Sequence, residues 1–308
     1  MYAAQGSLRF DAAIAEKFSF LGGNQGETVA TLNKTVGFIG GGNMAEAMIG
    51  GLLAAGVCEA SRVHAADVSK DRLAYLKKTF GIHITGDNCA VVDGCDVLVL
   101  AVKPQVMGSV LSTLDAGCGS RLSKKLVITI AAGIPVQTIE GMLASAPGLA
   151  VVRAMPNTPA LVGCGMCGMY ANPHVNSADR EHARAILEAT GRVIEFETEA
   201  LLDAVTAVSG SGPAYVFYFV EAMVQAGENL GLDTKDAFAL TLQTVKGAVT
   251  LMEERGESPK ELRQKVTSPG GTTEAALRVL REKEFPEIME TAIEAACHRA
   301  GELSRQYV

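Results

Sequence analysis

The stretch GFIGGGNMAEAMIGGL at residues 37–52 decides the fold. It begins in a β-rich apolar run, VGFIG at 36–40, and passes through Gly40, Gly41 and Gly42 into a helical pattern from Asn43 to Leu53. Gly40, Gly42 and Ala45 fill a G-x-G-x-x-A frame between the two. Gly40 permits the tight turn, Gly42 lets the backbone approach a pyrophosphate with no Cβ in the way, and Ala45 allows close helix packing. The helix N-terminus adds free N–H groups and positive potential for an anion. Context gives the frame its meaning. Short apolar runs recur at VHAA (63–66), HIT (83–85), VLVLAV (97–102), LVITIA (126–131) and LAVVRAM (149–155), with amphipathic helices such as Ser69 to Phe80 between them. That alternation predicts a Rossmann-like, doubly wound parallel sheet of the α/β class. GMCGMYA (165–171) and VIEF (193–196), separated by a helix from Ala178 to Ala189, read as late strands of the same domain.

Past about Glu199 the strands cease and the pattern becomes helical. The expected organisation is an N-terminal extension at 1–33, a dinucleotide-binding domain at 34–199 and an all-α domain at 200–308. Within the last, Pro213 opens a helix whose apolar residues from Ala214 to Ala226 cover most of its circumference. Such a helix needs cover on every side, and the few helices that follow are too little to supply it, so a subunit interface is expected there. Gly231 ends that helix, and Asp233 or Thr234 caps the next, which stops near Gly256. Ser258, Pro259 and Glu261 spell a capping box, and Pro269, Gly270 and Gly271 break the chain before a helix from about Thr273 to Arg281.

Composition narrows the function. The 308 residues fit two domains, and 27 Lys and Arg against 34 Asp and Glu give a net charge of -7. An acidic chain lacks the cationic excess that binds nucleic acid in bulk, while small anions remain suitable ligands. No apolar stretch is long enough to cross a bilayer. The 7 Cys are an odd number in a chain too large to need stapling. Reduced thiols in the cytoplasm are expected, without structural disulfides. Residues 1–33 show no signal or transit character; Phe10, Ile14, Phe18 and Leu21 sit at helical spacing and predict a short appended helix.

Further candidate residues lie at strand ends, where open α/β sheets bind ligands. Asp67 ends the second strand and could accept hydrogen bonds from a ribose diol or merely cap a helix. Ser69, Lys70 and Arg72 follow and could shelter a 2′-phosphate if Asp67 turned away, so both NAD(H) and NADP(H) stay open. AVKPQ at 101–105 places Ala101, Val102, Lys103 and Pro104 at the crevice, with Lys103 suited to phosphate, ribose or carbonyl contact more than to acting as a base. TIAAGIP at 129–135 brings Ala131 and Gly133, small enough to leave room for a ring or ribose. RAMPNTPA at 153–160 brackets Asn157 between prolines and could aim its amide at a nicotinamide or substrate. With Gly40, Gly41, Gly42, Asn43 and Met44 of the turn, these are the expected cofactor contacts. The five His residues stand apart from every motif, and Cys164 and Cys167 read as packing residues, since a zinc site needs more ligands.

GFIGGGNMA, AVKP, IAAG, AMPNTPA, VSGSGPAYVF (208–217) and TSPGGTT (267–273) occur in the order and spacing of pyrroline-5-carboxylate reductases, which the chain resembles from Thr35 to its C-terminus. The resemblance implies reduction of 1-pyrroline-5-carboxylate to L-proline by hydride from NAD(P)H, the last step of proline biosynthesis. It also implies a homodimer built through the helical domain, extending in some members to a decamer, with active sites shared between subunits. Carried across by the same match, Thr273 is the hydroxyl near the pyrroline nitrogen and Ser268 its neighbour. Gly271, Thr272 and Thr273 are the amides that hold the substrate carboxylate, and Asn88 is a ribose contact. A Gly-Gly loop opening a helix suits an anion on physical grounds as well. Two departures stand out: Asp67-Val68 where many members carry Asn-Arg or another polar pair, and the 33-residue leader. The rival readings are a β-hydroxyacid dehydrogenase or imine reductase and a non-catalytic nucleotide sensor. The first usually carries a Lys that SGSGPAYVFYFVEA lacks, and the second would be expected to erode SPGGTT, which is intact.

Overall fold

The computed structural model describes residues 32–306, so the expected helix at Phe10 to Leu21 lies outside the described residues. The strands are β1 (Val36–Ile39), β2 (Val63–Ala66), β3 (His83–Thr85), β4 (Val97–Leu100), β5 (Leu126–Thr129), β6 (Ala150–Met155), β7 (Gly165–Ala171) and β8 (Gly191–Glu195). The helices packed with them are α1 (Asn43–Ala54), α2 (Lys70–Phe80), α3 (Asn88–Gly94), α4 (Pro104–Leu122), α5 (Val136–Met142), α6 (Ser177–Glu188) and α7 (Leu201–Val205). The strands form one sheet in the order β3-β2-β1-β4-β5-β6-β7-β8. The chain reverses direction across the sheet between β1 and β4, which leaves a crevice at their carboxyl ends.

Side chains alternate between the two faces of the sheet. Phe38 points to a cluster with Met48, Ile49 and Leu52 of α1, Leu76 of α2 and Ile186 of α6. Its neighbour Ile39 joins Leu98 and Leu100 of β4 with Met107 and Leu111 of α4 and Ile139 of α5. Helices therefore cover both faces, as strands apolar on both sides require. The first six strands are parallel, as expected, but β7 runs antiparallel to β6, and β8 runs parallel to β7. The reason is the short return through residues 158–163, a single 3₁₀ turn closed by Gly163 at φ 72. A link that short can join only antiparallel neighbours, because a parallel pair needs a crossover.

The chain forms two compact units, one of residues up to Gly210 together with 297–308 and one of 211–296. The expected boundary at 199/200 lies ahead of this division, because the segment 201–210 is helical, as its sequence reads, yet packs against the sheet. Leu202 and Ala207 are fully buried, and a Cβ on Gly168 of β7 would stand 2.7 Å from Val205. The second unit holds α8 (Gly212–Asn229), α9 (Thr234–Arg255), α10 (Pro259–Lys265), α11 (Thr272–Glu282) and most of α12 (Phe285–Arg305). Asp233 caps α9 by accepting from the Asp236 N–H, and Ser258 and Glu261 form the capping box of α10. α8 and α9 pack where Gly227 admits Ala237, which is buried. Their other faces are uncovered in the single chain, with Phe217 67 % and Tyr218 73 % exposed.

The expectation of free thiols alone is corrected: Cys89 of α3 and Cys118 of α4 form a disulfide, with Cα atoms 5.7 Å apart. Helices α3 and α4 lie side by side on one face of the sheet, and Cys118 sits at a non-helical break in α4. Of the two cysteines expected to pack, Cys167 does so, its thiol pushed up to about 12 by burial, whereas Cys164 is exposed and does not. No described helix is long and apolar enough to cross a membrane.

Candidate active site

The glycine turn is built as the frame predicts. Gly40 has φ 95, a backbone conformation that disfavours a side chain, and a Cβ there would stand 2.7 Å from the Ala101 carbonyl oxygen. The turn is tied to both flanking strands, since the Gly40 N–H donates to Ala66 O at 2.8 Å and the Ala101 N–H donates to Ile39 O at 2.8 Å. Gly42 is the N-cap of α1, no side chain caps the helix, and a Cβ on it would meet nothing within 4 Å. Gly42 and Asn43 are exposed, Met44 is half-buried and Ala45 fully buried. An open, uncapped helix start beside bare backbone fits a dinucleotide pyrophosphate.

Asp67 stands at the end of β2 with both carboxylate oxygens on backbone donors. Oδ2 accepts from the Gly41 N–H at 2.7 Å, and Oδ1 accepts from the Ser69 N–H at 2.8 Å. Asp67 therefore braces the glycine turn and the start of the loop to α2, while the helix-cap role falls to Ser69, whose side chain accepts from the Arg72 N–H. Arg72 reaches back from α2 to donate to Gly41 O and pairs with Glu46 of α1 at 2.6 Å. At the end of β4, Ala101 and Val102 are half-buried, Lys103 is the exposed N-cap of α4, and Pro104 opens that helix. Asn88 is half-buried at the start of α3, whose cap is Asp87.

Three expected contacts stand differently. Asn157 is 9 % exposed; its Nδ2 donates to Ser209 O at 3.1 Å and its Oδ1 accepts from the Met166 N–H at 2.9 Å. Its amide thus braces the MPNTPA loop against β7 and the turn at 206–210 instead of pointing into the crevice. A buried amide must find such partners. Gly133, at φ 74, is buried with a Cβ position 3.1 Å from Leu303, so its smallness admits the end of α12. Ala131 is likewise buried.

In the second unit, Gly271 is the N-cap of α11 with no side-chain cap, and Gly270 at φ 73 makes the preceding turn. The Gly271 N–H donates to Ser268 O at 3.0 Å, and the Gly270 N–H donates to Glu274 Oε2 at 2.7 Å. The loop is thereby closed on itself, while α11 starts without a side-chain cap, with Thr272 exposed and Thr273 half-buried. Sequence reading missed Arg153 of β6, whose side chain is 7 % exposed and pairs with Glu199 at 2.7 Å and Asp203 at 3.8 Å. It also missed Glu46. Both sit inside quoted motifs, Arg153 opening RAMPNTPA and Glu46 following the glycine turn, but their pairing with distant residues leaves no local trace.

Comparison with known proteins agrees with this geometry. The chain is 44 % identical over 271 residues to the pyrroline-5-carboxylate reductase of Pseudomonas aeruginosa, an alignment covering 88 % of this chain and 97 % of that protein. The chain belongs to the pyrroline-5-carboxylate reductase family. Its residues 199–303 match the family model for pyrroline-5-carboxylate reductase dimerisation, and residues 35–133 match that for NADP oxidoreductase coenzyme F420-dependent. Among solved structures, the family's Coxiella burnetii member aligns at TM-score 0.82 and 41 % identity over 88 % of this chain and 98 % of that one. The Plasmodium falciparum member, solved with NADP bound, aligns at TM-score 0.79 and 33 % identity over 89 % of this chain and 100 % of that one. A Streptomyces aurantiacus imine reductase, at 15 % identity and TM-score 0.52, shares the fold alone. The family membership thus disfavours the dehydrogenase, imine reductase and sensor readings.

Proposed function

We propose that this chain reduces 1-pyrroline-5-carboxylate to L-proline with hydride from NAD(P)H. The observation that carries the reading is the pair of uncapped helix starts, α1 behind Gly42 and α11 behind Gly271, set in a chain aligned almost end to end with reductases of this family. Each start suits one anion: the pyrophosphate at α1 and the substrate carboxylate at Thr272 and Thr273, the Gly271 N–H being held by Ser268 O.

The reduced nicotinamide supplies hydride when bound. The residues then have mainly to bind and orient, because a protonated cyclic imine is already an electrophile and accepts hydride at its ring carbon without a strong acid or base. Thr273 takes the role of hydrogen-bonding the ring nitrogen, with Ser268 as its neighbour in the loop. Asp67 and Asn88 hold the riboses, and Ala101, Val102, Lys103 and Pro104 line the nicotinamide side of the crevice. Asn157 and Gly133 support the crevice walls. A second copy of the chain covers the exposed apolar faces of α8 and α9, giving a cytoplasmic homodimer that could serve as the unit of a decamer, with no nucleic acid or membrane partner.

The test follows nicotinamide absorbance and proline formation with purified protein and pyrroline-5-carboxylate. Turnover of neither NADH nor NADPH by folded protein would overturn the reading. Thr273→Ala is expected to lower kcat by about 10²-fold with cofactor affinity unchanged; parental turnover would remove the assigned role. Light scattering of a monomer at micromolar concentration would remove the dimer.

A further inference from the structure

Behind the glycine turn lies a cluster of four polar side chains that no family motif contains in full. Asp67 holds the Gly41 N–H, and Arg72 holds the other side of the same peptide segment, donating to Gly41 O and, at 3.3 Å, to Gly42 O. The guanidinium also pairs with Glu46 Oε2 at 2.6 Å and lies 4.9 Å from the centre of the Tyr75 ring. The Tyr75 hydroxyl donates to Glu46 Oε1 at 2.9 Å, so both oxygens of Glu46 are engaged in keeping this arrangement. Arg72 and Glu46 are only 24 % and 14 % exposed, which strengthens the pair beyond that of a surface contact.

The location gives the cluster a consequence. The end of β2 is where a Rossmann domain meets the 2′-position of the adenine ribose, and a 2′-phosphate is accepted there by an Arg fork. Arg72 has the right chemistry, but its Nε and Nη2 are committed to the turn carbonyls and to Glu46, which turns the guanidinium toward α1. Glu46 itself sits in the first turn of α1, where an unpaired carboxylate would oppose a pyrophosphate at the helix start, so its charge must be answered by Arg72.

We propose that Glu46 is a specificity-determining residue: it withholds Arg72 from the 2′-position and leaves the Asp67 carboxylate to select a free ribose diol, so that the chain prefers NADH. The inference rests on residues 36–72 forming the dinucleotide site. Fluorescence titration of the full chain with NADH and with NADPH measures each affinity without turnover. The parent should bind NADH at least about tenfold tighter, the scale of one charge-assisted hydrogen bond. Glu46→Gln should narrow that ratio by about tenfold through tighter NADPH binding, and Glu46→Gln with Arg72→Ala should restore the parental ratio. Arg72→Ala alone should weaken both nucleotides alike, since it loosens the turn without removing a phosphate contact. Equal affinities or an NADPH preference in the parent, an unmoved ratio in folded Glu46→Gln, or a selective loss of NADPH in Arg72→Ala would each overturn the proposal. If Glu46→Gln does not fold, the parent and Arg72→Ala decide it. Binding of neither nucleotide would overturn the underlying site as well, an outcome distinct from binding with the wrong preference.

Discussion

Gly40 and Ala101 meet so closely that a single methyl group on the first would stand 2.7 Å from the carbonyl oxygen of the second. This contact joins the ends of β1 and β4 and sets the floor of the crevice. Gly42, two residues on, has φ -68, which any residue adopts, and an empty 4 Å shell around its absent Cβ. The two glycines should therefore fail differently. Gly40→Ala is expected to destabilise the chain by at least about 2 kcal/mol, from the positive φ and the clash together. Gly42→Ala should keep the parental Tm while its affinity for NAD(P)H falls at least about tenfold, because only the bound pyrophosphate needs that space. Differential scanning calorimetry and fluorescence titration read the two effects separately.

Arg153 carries a buried charge on β6 that, among the described residues, Glu199 and Asp203 answer. Arg153→Met removes the cation and leaves both carboxylates beside an apolar side chain. The expected loss is about 2–4 kcal/mol in urea denaturation, below the full cost of breaking a buried pair because the acids retain some solvent. Adding Glu199→Gln should recover part of it; a double variant as unstable as the sum would deny the coupling.

His64 stacks on His83 with ring centroids 4.7 Å apart, and its pKa is lowered by burial first and by the charge of His83 second. The native state therefore resists taking up a proton that the unfolded chain accepts near pH 6.5. Stability from this group is full above that pH and is lost as pH falls through the unfolded value toward the lowered native one. Urea midpoints between pH 8 and 5 should decline for the parent and decline less for His64→Gln. Equal slopes would show that His64 is not the group responsible.

The Cys89–Cys118 link closes a loop of sequence separation 29. By loop entropy it should stabilise the oxidised chain by about 3–4 kcal/mol relative to Cys118→Ser, a difference that vanishes when the parent is reduced. Peptide mapping after alkylation without reductant should recover the two cysteines linked, and finding both alkylated would show the link unformed.

What the linear chain determined by itself is what local physics encodes. The β1–turn–α1 unit, the capping box at Ser258 and Glu261 and the helix start after Pro269, Gly270 and Gly271 were legible because strand period, glycine at special positions and cap chemistry act over a few neighbouring residues. The tertiary structure alone decided the rest. The reversal of β7, the binding of Asn157 to Ser209 and Met166, the pairing of Arg72 with Glu46 and of Cys89 with Cys118, and the place of residues 201–210 in the sheet unit all depend on which distant segments the strand order brings together. Such partnerships form between surfaces that exist only after the sheet has assembled, so no run of consecutive residues announces them.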